Sequence, residues 1–301
     1  MVEAGFYANK FDHAWWSLDG NPAPPTPTSL LPAKGINANR RFQTTTIPVA
    51  GDPTITLADV IRIRKEGWSQ YNSFQIKAEK RYSQGLTFIT SYSYSKTIGI
   101  GDTNGIQDPT NIINAERAVT ATDQRNRFVG SAVYTLPFGH GKRFGANWNR
   151  WADSFLGGWN VSPIVTVASG LPLNLTEAAN PSNTGGAADR PNLSGGWHAK
   201  NRSVAQWFNT SAFSVQPSGT FGNTPRNLII SPRTADLDAA VHKTIEISER
   251  LKAQLRVESF NVTNTAPLGT PGLDIGSPKS FGVISTAGNP RQNQVGVKLL
   301  F

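Results

Sequence analysis

Along much of this chain, side-chain polarity flips with every residue. The stretch from Arg291 to Phe301 (RQNQVGVKLLF) shows it plainly. Val295, Val297, Leu299 and Phe301 fall on one face of an extended strand, while Gln294, Gly296 and Lys298 fall on the other. A period of two predicts a sheet with one apolar and one polar face. Closing a strand on an aromatic suits a bilayer edge, where the ring sits at the interface and a carboxylate stays in water. A soluble core handles it poorly, because burying that carboxylate beside the ring is costly. The last strand of a β-sandwich is the competing expectation from this segment alone.

The same alternation recurs upstream. In Tyr71–Tyr82, Phe74, Ile76, Ala78 and Tyr82 oppose Gln75, Lys77, Glu79 and Arg81. The turn Ser83-Gln84-Gly85 then leads into Leu86–Lys96, which puts Leu86, Phe88, Tyr92 and Tyr94 on one face, so the pair reads as a hairpin. Further strands are expected at Arg125–Leu136, Trp159–Ser169, Leu237–Ile247, Leu251–Val262 and, at the front, Val2–Ala8. Pro163 lies inside one of them and predicts a bulge or a locally unpaired position. About eight strands of roughly 8 to 12 residues result, long enough to cross a bilayer at a tilt.

The connections differ by end. If Phe301 marks the inner side, the links Ser83–Gly85, Pro137–Gly158 and Ser248–Arg250 lie inside, and the long loops after Ala8, Lys96, Ser169 and Val262 all lie outside. Short turns on one rim and long loops on the other characterise outer-membrane barrels, whereas a sandwich mixes them. The expected fold is therefore all-β: an antiparallel transmembrane β-barrel with long extracellular loops and short periplasmic turns.

Composition agrees with many strands joined by polar loops. Charged residues are 16% of the 301 residues, and Gly and Pro number 28 and 20. With Cys at zero, thiolate chemistry and disulfides are excluded. The net charge of +9 is scattered rather than clustered, so no nucleic-acid partner is expected. No apolar run reaches the length of a spanning helix. The opening MVEAGFYANKFDHAWW has neither the basic nor the apolar region of a signal peptide.

Catalytic patterns are lacking, and no catalytic, cofactor or metal residue is expected. His13, His140, His198 and His242 show neither HExxH nor i, i+4 spacing, and no GxSxG occurs. Gly139-His140-Gly141-Lys142 lacks the spacing of a phosphate loop and reads as a basic turn near lipid headgroups. Asp236 and Asp238 lie on one strand face and Glu258 on the neighbouring strand, which a glycosidase could use, but lumen or rim charges balanced by Arg and Lys such as Arg256 explain them better. In the long loops, Trp197, Trp207, Asn209 and Phe213 are candidates to contact a sugar or peptide.

The order of several blocks resembles the C-terminal barrel portion of TonB-dependent outer-membrane receptors, specifically the Oar-like branch. They are YNSFQIKAEKRYSQGLTFITSYSYSK from Tyr71, DQRNRFVGSAVYTLPFGHGKRF from Asp123, LGGWNVSPIVTVASGLPL from Leu156, ADRPN from Ala188, WFNTSAF from Trp207, TFGNTPRN from Thr220 and the closing NPRQNQVGVKLLF. The resemblance implies a single 1–301 barrel domain that is the C-terminal fragment of a Gram-negative outer-membrane receptor, with plug domain and signal peptide absent. It implies nutrient uptake or surface ligand binding, with TonB engaged through an upstream plug. It also implies an assembly signal at Val295, Val297, Leu299 and Phe301, read by the barrel-assembly machinery. A soluble exported β-sandwich that binds or hydrolyses carbohydrate is the alternative.

Overall fold

The period-two segments form one antiparallel ladder. The computed structural model describes residues 1–42, 44–45, 55–56, 58–100, 106–186, 189–248 and 251–301. Eight long strands follow one another in sequence order: β1 (Val2–Asp19), β2 (Ile61–Ser83), β3 (Leu86–Ile100), β4 (Asn126–Thr135), β5 (Trp159–Ala168), β6 (Thr234–Glu246), β7 (Lys252–Phe260) and β8 (Gln292–Leu300). A two-residue strand, Ala118–Val119, adds to the outer end of β3.

Local chemistry sets the register. Between β2 and β3, Gln84 and Gly85 both take left-handed backbone conformations, with φ of 54° and 79°, which is the tight hairpin turn that matches strand twist. Ser83 pairs with Leu86 beside the turn, and a one-residue shift between Lys80 and Ser83 then makes Phe74 meet Tyr94 and Ser73 meet Ser95. Propagated across the ladder, this register puts Phe74, Tyr94, Phe128, Val167, Leu237, Val257 and Val295 on linked, same-face positions. The opposite face carries Gln75, Ser93, Arg127, Asp238, Arg256 and Gln294. It is concave between β1 and β4, where Glu3, Tyr7, Gln75, Lys77, Ser91 and Arg127 line a depression of about 310 Å³.

The apolar face is bare. Phe74, Val167, Val257, Val295 and Val297 are all exposed, and the buried hydrophobic residues lie elsewhere. Among the described residues, the eight long strands contribute only Leu18, Ile100 and Ala168 to the core, all at the outer ends of their strands. A sandwich would bury its apolar face against a second sheet. Here one sheet presents it outward, which overturns the carbohydrate-sandwich alternative.

Two strands run further than alternation predicted. β1 spans 18 residues rather than ending near Ala8, and β2 begins at Ile61 and spans 23 rather than starting at Tyr71. A bilayer needs only about 9 to 11. The added outer parts, with Trp15, Trp16, Arg62, Arg64 and Trp68, are wet on both faces or packed under loops. Period two is a signal of one-sided burial, so it disappears there although pairing continues. The pairing shifts between Asp12 and Trp16, where His13 sits at φ 63°, a bulge that no pattern announced.

Pro163 pairs in register with Ala239 on β6, but the ladder to β4 lapses between the Ser131–Ile164 and Tyr134–Val161 pairs. The missing N–H thus leaves a locally unpaired position and no bulge. Of the inner links, Glu249-Arg250 lie outside the described residues. The 137–158 link is no simple turn. It holds a short helix, Arg150–Leu156, capped by Asn149, whose Oδ1 accepts from Ala152 N at 2.8 Å.

Val241, central on the apolar face between Val161 and Val257, gives the first test. Val241→Arg is expected to destabilise the inserted fold by about 2–4 kcal/mol. Gln254→Arg, on the polar face, should change it by less than about 1 kcal/mol. Urea titration of heat-modifiable gel migration in lipid vesicles measures both.

Candidate functional site in the outer loops

The described residues of the four outer loops, which fall within 20–60, 101–125, 169–233 and 261–291, bury one another. Leu175, Phe208, Ala212, Phe213 and Ile229 of the third loop and Phe281 of the fourth make the main core, with Leu175, Phe208 and Ile229 at 0% exposure. Phe208 meets Phe213 and Phe281 edge to face, with ring centroids 5.7 and 5.1 Å apart, the geometry their ring quadrupoles favour. Short pairings brace it: Pro172–Leu173 with Ile229–Ile230, and Asn192–Leu193 with Phe213–Ser214. A smaller cluster of Leu18, Ile100 and Ile112 seals the cap to the tops of β1 and β3.

A buried ion pair joins the second loop to the third. Glu116, at 0% exposure, accepts from Arg190 Nη1 at 2.9 Å and Nη2 at 3.3 Å, and from the backbone N–H groups of Gln107 and Asp108. Arg226 Nη1 lies 3.9 Å from the same carboxylate. Arg190 Nε donates to Thr224 O at 3.0 Å, and Gln107 Nε2 donates to Gly222 O at 3.0 Å. Gly222 is required by space: a Cβ there would sit 1.8 Å from Arg190 O. Such a pair is costly to desolvate, so its geometry must be complete.

The first loop docks through backbone and amide groups. Ala23 N donates to Thr184 O and Thr26 N to Ser182 O, and Asn183 Nδ2 returns a bond to Thr26 O at 2.8 Å. Arg40 pairs with Asp19 and donates to Asn21 O at 2.6 Å, while Asn21 Nδ2 holds Phe42 O and Ala58 O. Beneath this joint, buried Asp189 accepts from Ser182 N at 2.8 Å, Ser182 Oγ at 2.9 Å and Gln216 Nε2 at 3.1 Å. Burial pushes the Asp189 carboxyl above its ordinary value of 3.8, against the opposing pull of these hydrogen bonds and of Arg190.

The four loop residues expected to meet ligand separate here. Phe213 is in the core, 7% exposed. Trp207 donates from Nε1 to Ile230 O at 2.7 Å beneath the Arg202 guanidinium, and Asn209 Nδ2 donates to Gly196 O at 2.9 Å. Trp197, stacked on His198, lines an open cavity of about 480 Å³ with Arg117, Asp123, Arg125, Leu228 and Ile230. A second cavity, about 740 Å³, lies between the first loop and the top of β2, with Arg40, Arg41, Arg62 and Arg64 on its wall. Of the strand carboxylates, Asp238 Oδ1 accepts from Asn261 N at 2.8 Å, and Glu258 pairs with Arg256 at 2.8 Å.

Sequence reasoning missed the Glu116–Arg190–Arg226 network. Its signal was present, since ADRPN and TFGNTPRN supply Asp189, Arg190, Gly222, Thr224 and Arg226. Which carboxylate they meet depends on loop docking.

Removing one partner tests this network. Glu116→Gln removes the carboxylate that buried Arg190 and Arg226 share and should weaken the cap by about 3–5 kcal/mol. Hydrogen exchange is expected to rise in 106–120 and 189–227, with the strand amides of β4–β7 unchanged. Asp189 gives a pH test. Its raised folded-state pKa means its contribution to stability is full below 3.8 and is lost as pH rises through the folded value. Cap stability of the native chain relative to Asp189→Asn should therefore fall as pH climbs above 3.8, then level off, as read by thermal melting across pH.

No curated protein matches the chain. Residues 1–294 match the family described as outer membrane beta barrel domain. One antiparallel ladder, an exposed apolar face and long loops gathered at one end are the features that such a domain requires, and the chain belongs to this outer-membrane β-barrel family, which resides in the outer membrane of Gram-negative bacteria.

Proposed function

We propose that this chain is the barrel portion of a TonB-dependent receptor of Oar-like type, which captures a nutrient at the cell surface and has no catalytic role. The observation that carries the proposal is the ordered cap. Loops with no binding duty need no shared core, yet these bury three phenylalanines and an ion pair while leaving two cavities open beside Trp197 and the arginines. A carbohydrate or peptide suits the first cavity, where an indole face adjoins charged groups. Energy for uptake would come from TonB through a plug belonging to the same receptor. The free edge of β8, with Val295, Val297 and Leu299 exposed on its apolar face, offers a strand template to the barrel-assembly machinery.

Uptake measurements test this reading. Cells expressing the complete receptor should accumulate a labelled oligosaccharide or peptide from a mixed pool, and a protonophore should abolish accumulation. Trp197→Ala should weaken surface binding by about 2- to 10-fold, the worth of one stacking contact. Accumulation that persists without the proton gradient would rule out TonB dependence.

A further inference from the structure

The 137–158 link at the inner rim is longer than a β-turn needs and is built unlike the tight turn at Gln84-Gly85. It carries Phe138, Phe144, Trp148, Trp151 and Phe155, and Trp151, Phe155 and Leu156 are 77%, 71% and 57% exposed. Trp151 and Phe155 are four apart on the helix Arg150–Leu156, so they share a face. Exposing that much aromatic surface to water would be anomalous.

The structure fixes where this helix lies. Lys243 Nζ donates to Asp153 O at 3.3 Å and to Gly157 O, and Trp159 Nε1 donates to Phe155 O at 2.9 Å. Lys243 and Trp159 are direct cross-strand partners in the same-face series as Val161, Val241 and Leu255, which is the apolar side of the wall. The helix is therefore strapped to the lipid-facing side at its inner edge. Its carbonyls occupy a lysine that would otherwise stand charged in the apolar band.

Charge completes the picture. Lys142, Arg143 and Arg150 are exposed, and among the described residues no acidic group lies within ion-pair distance of them. Arg143 lies over the Phe144 ring, 5.5 Å from its centroid. Exposed aromatics beside unpaired cations, continuous with a lipid-facing wall, suit an interface of acyl chains and anionic headgroups.

We infer that residues 137–158 form an interfacial anchor that inserts Trp151, Phe155 and Leu156 into the periplasmic leaflet and binds anionic phospholipid through Lys142, Arg143 and Arg150. The inference rests on the membrane placement of the barrel. It is independent of what the receptor transports.

The test uses the full chain in vesicles of phosphatidylcholine, or of phosphatidylcholine with phosphatidylglycerol, containing brominated forms of either lipid. Trp151 quenching is obtained by difference from Trp151→Phe. Both brominated lipids should quench it, with phosphatidylglycerol favoured, and the preference should fall about fivefold for each of Lys142→Gln, Arg143→Gln and Arg150→Gln. Added salt should erode it too. Heat-modifiable migration confirms insertion for every variant, so failure of the barrel to insert is distinguished from failure of the anchor. An inserted chain whose Trp151 is unquenched, whose lipid preference ignores the three substitutions, or whose Trp151 is shielded only by a periplasmic protein would overturn the inference.

Discussion

Inside a bilayer no water is present to satisfy a backbone N–H or C=O, so each spanning strand must bond fully to its neighbours. That requirement governs this molecule. Past the shift between Lys80 and Ser83, neighbour-to-neighbour pairing carries one in-register frame through the central strands, from Phe74–Tyr94 to Val257–Val295. The register decides which face every side chain joins. Alternating strand direction puts successive links at opposite ends, and the lengths of chain between strands place the four cap-forming loops together at one of them.

A consequence is a division of labour between the two ends and the wall between them. The wall needs no core of its own, because lipid covers its apolar face and water its polar one. The hydrophobic core is therefore built in the outer loops, from Phe208, Phe213, Phe281 and the residues around them. At the inner rim, Lys243 and Trp159 reach off the wall to hold the helix of the 137–158 link. One end is shaped to present cavities, and the other to settle in a leaflet.

Alternation was legible wherever one face meets lipid, as from Phe74 to Tyr82 or Val295 to Phe301. It faded in the outer halves of β1 and β2, where both faces are wet or covered by loops, and those strands run on unannounced. The aromatic residues of WFNTSAF stood out, but composition could not separate a ring that packs from one that waits for ligand. Phe213 packs, while Trp197 lines a cavity, and only the path of the loop distinguishes them.

By itself the sequence determined the strands, their order, the polarity of each face and the end at which the long loops gather. Those properties follow from local periodicity and from the direction of successive strands. Tertiary structure alone decided that the loops share a core, that Glu116 meets Arg190 and Arg226, and that the inner helix lies against the lipid side of the wall. These are contacts between segments far apart in sequence, and no local pattern encodes which distant carboxylate or carbonyl a given arginine or lysine will find.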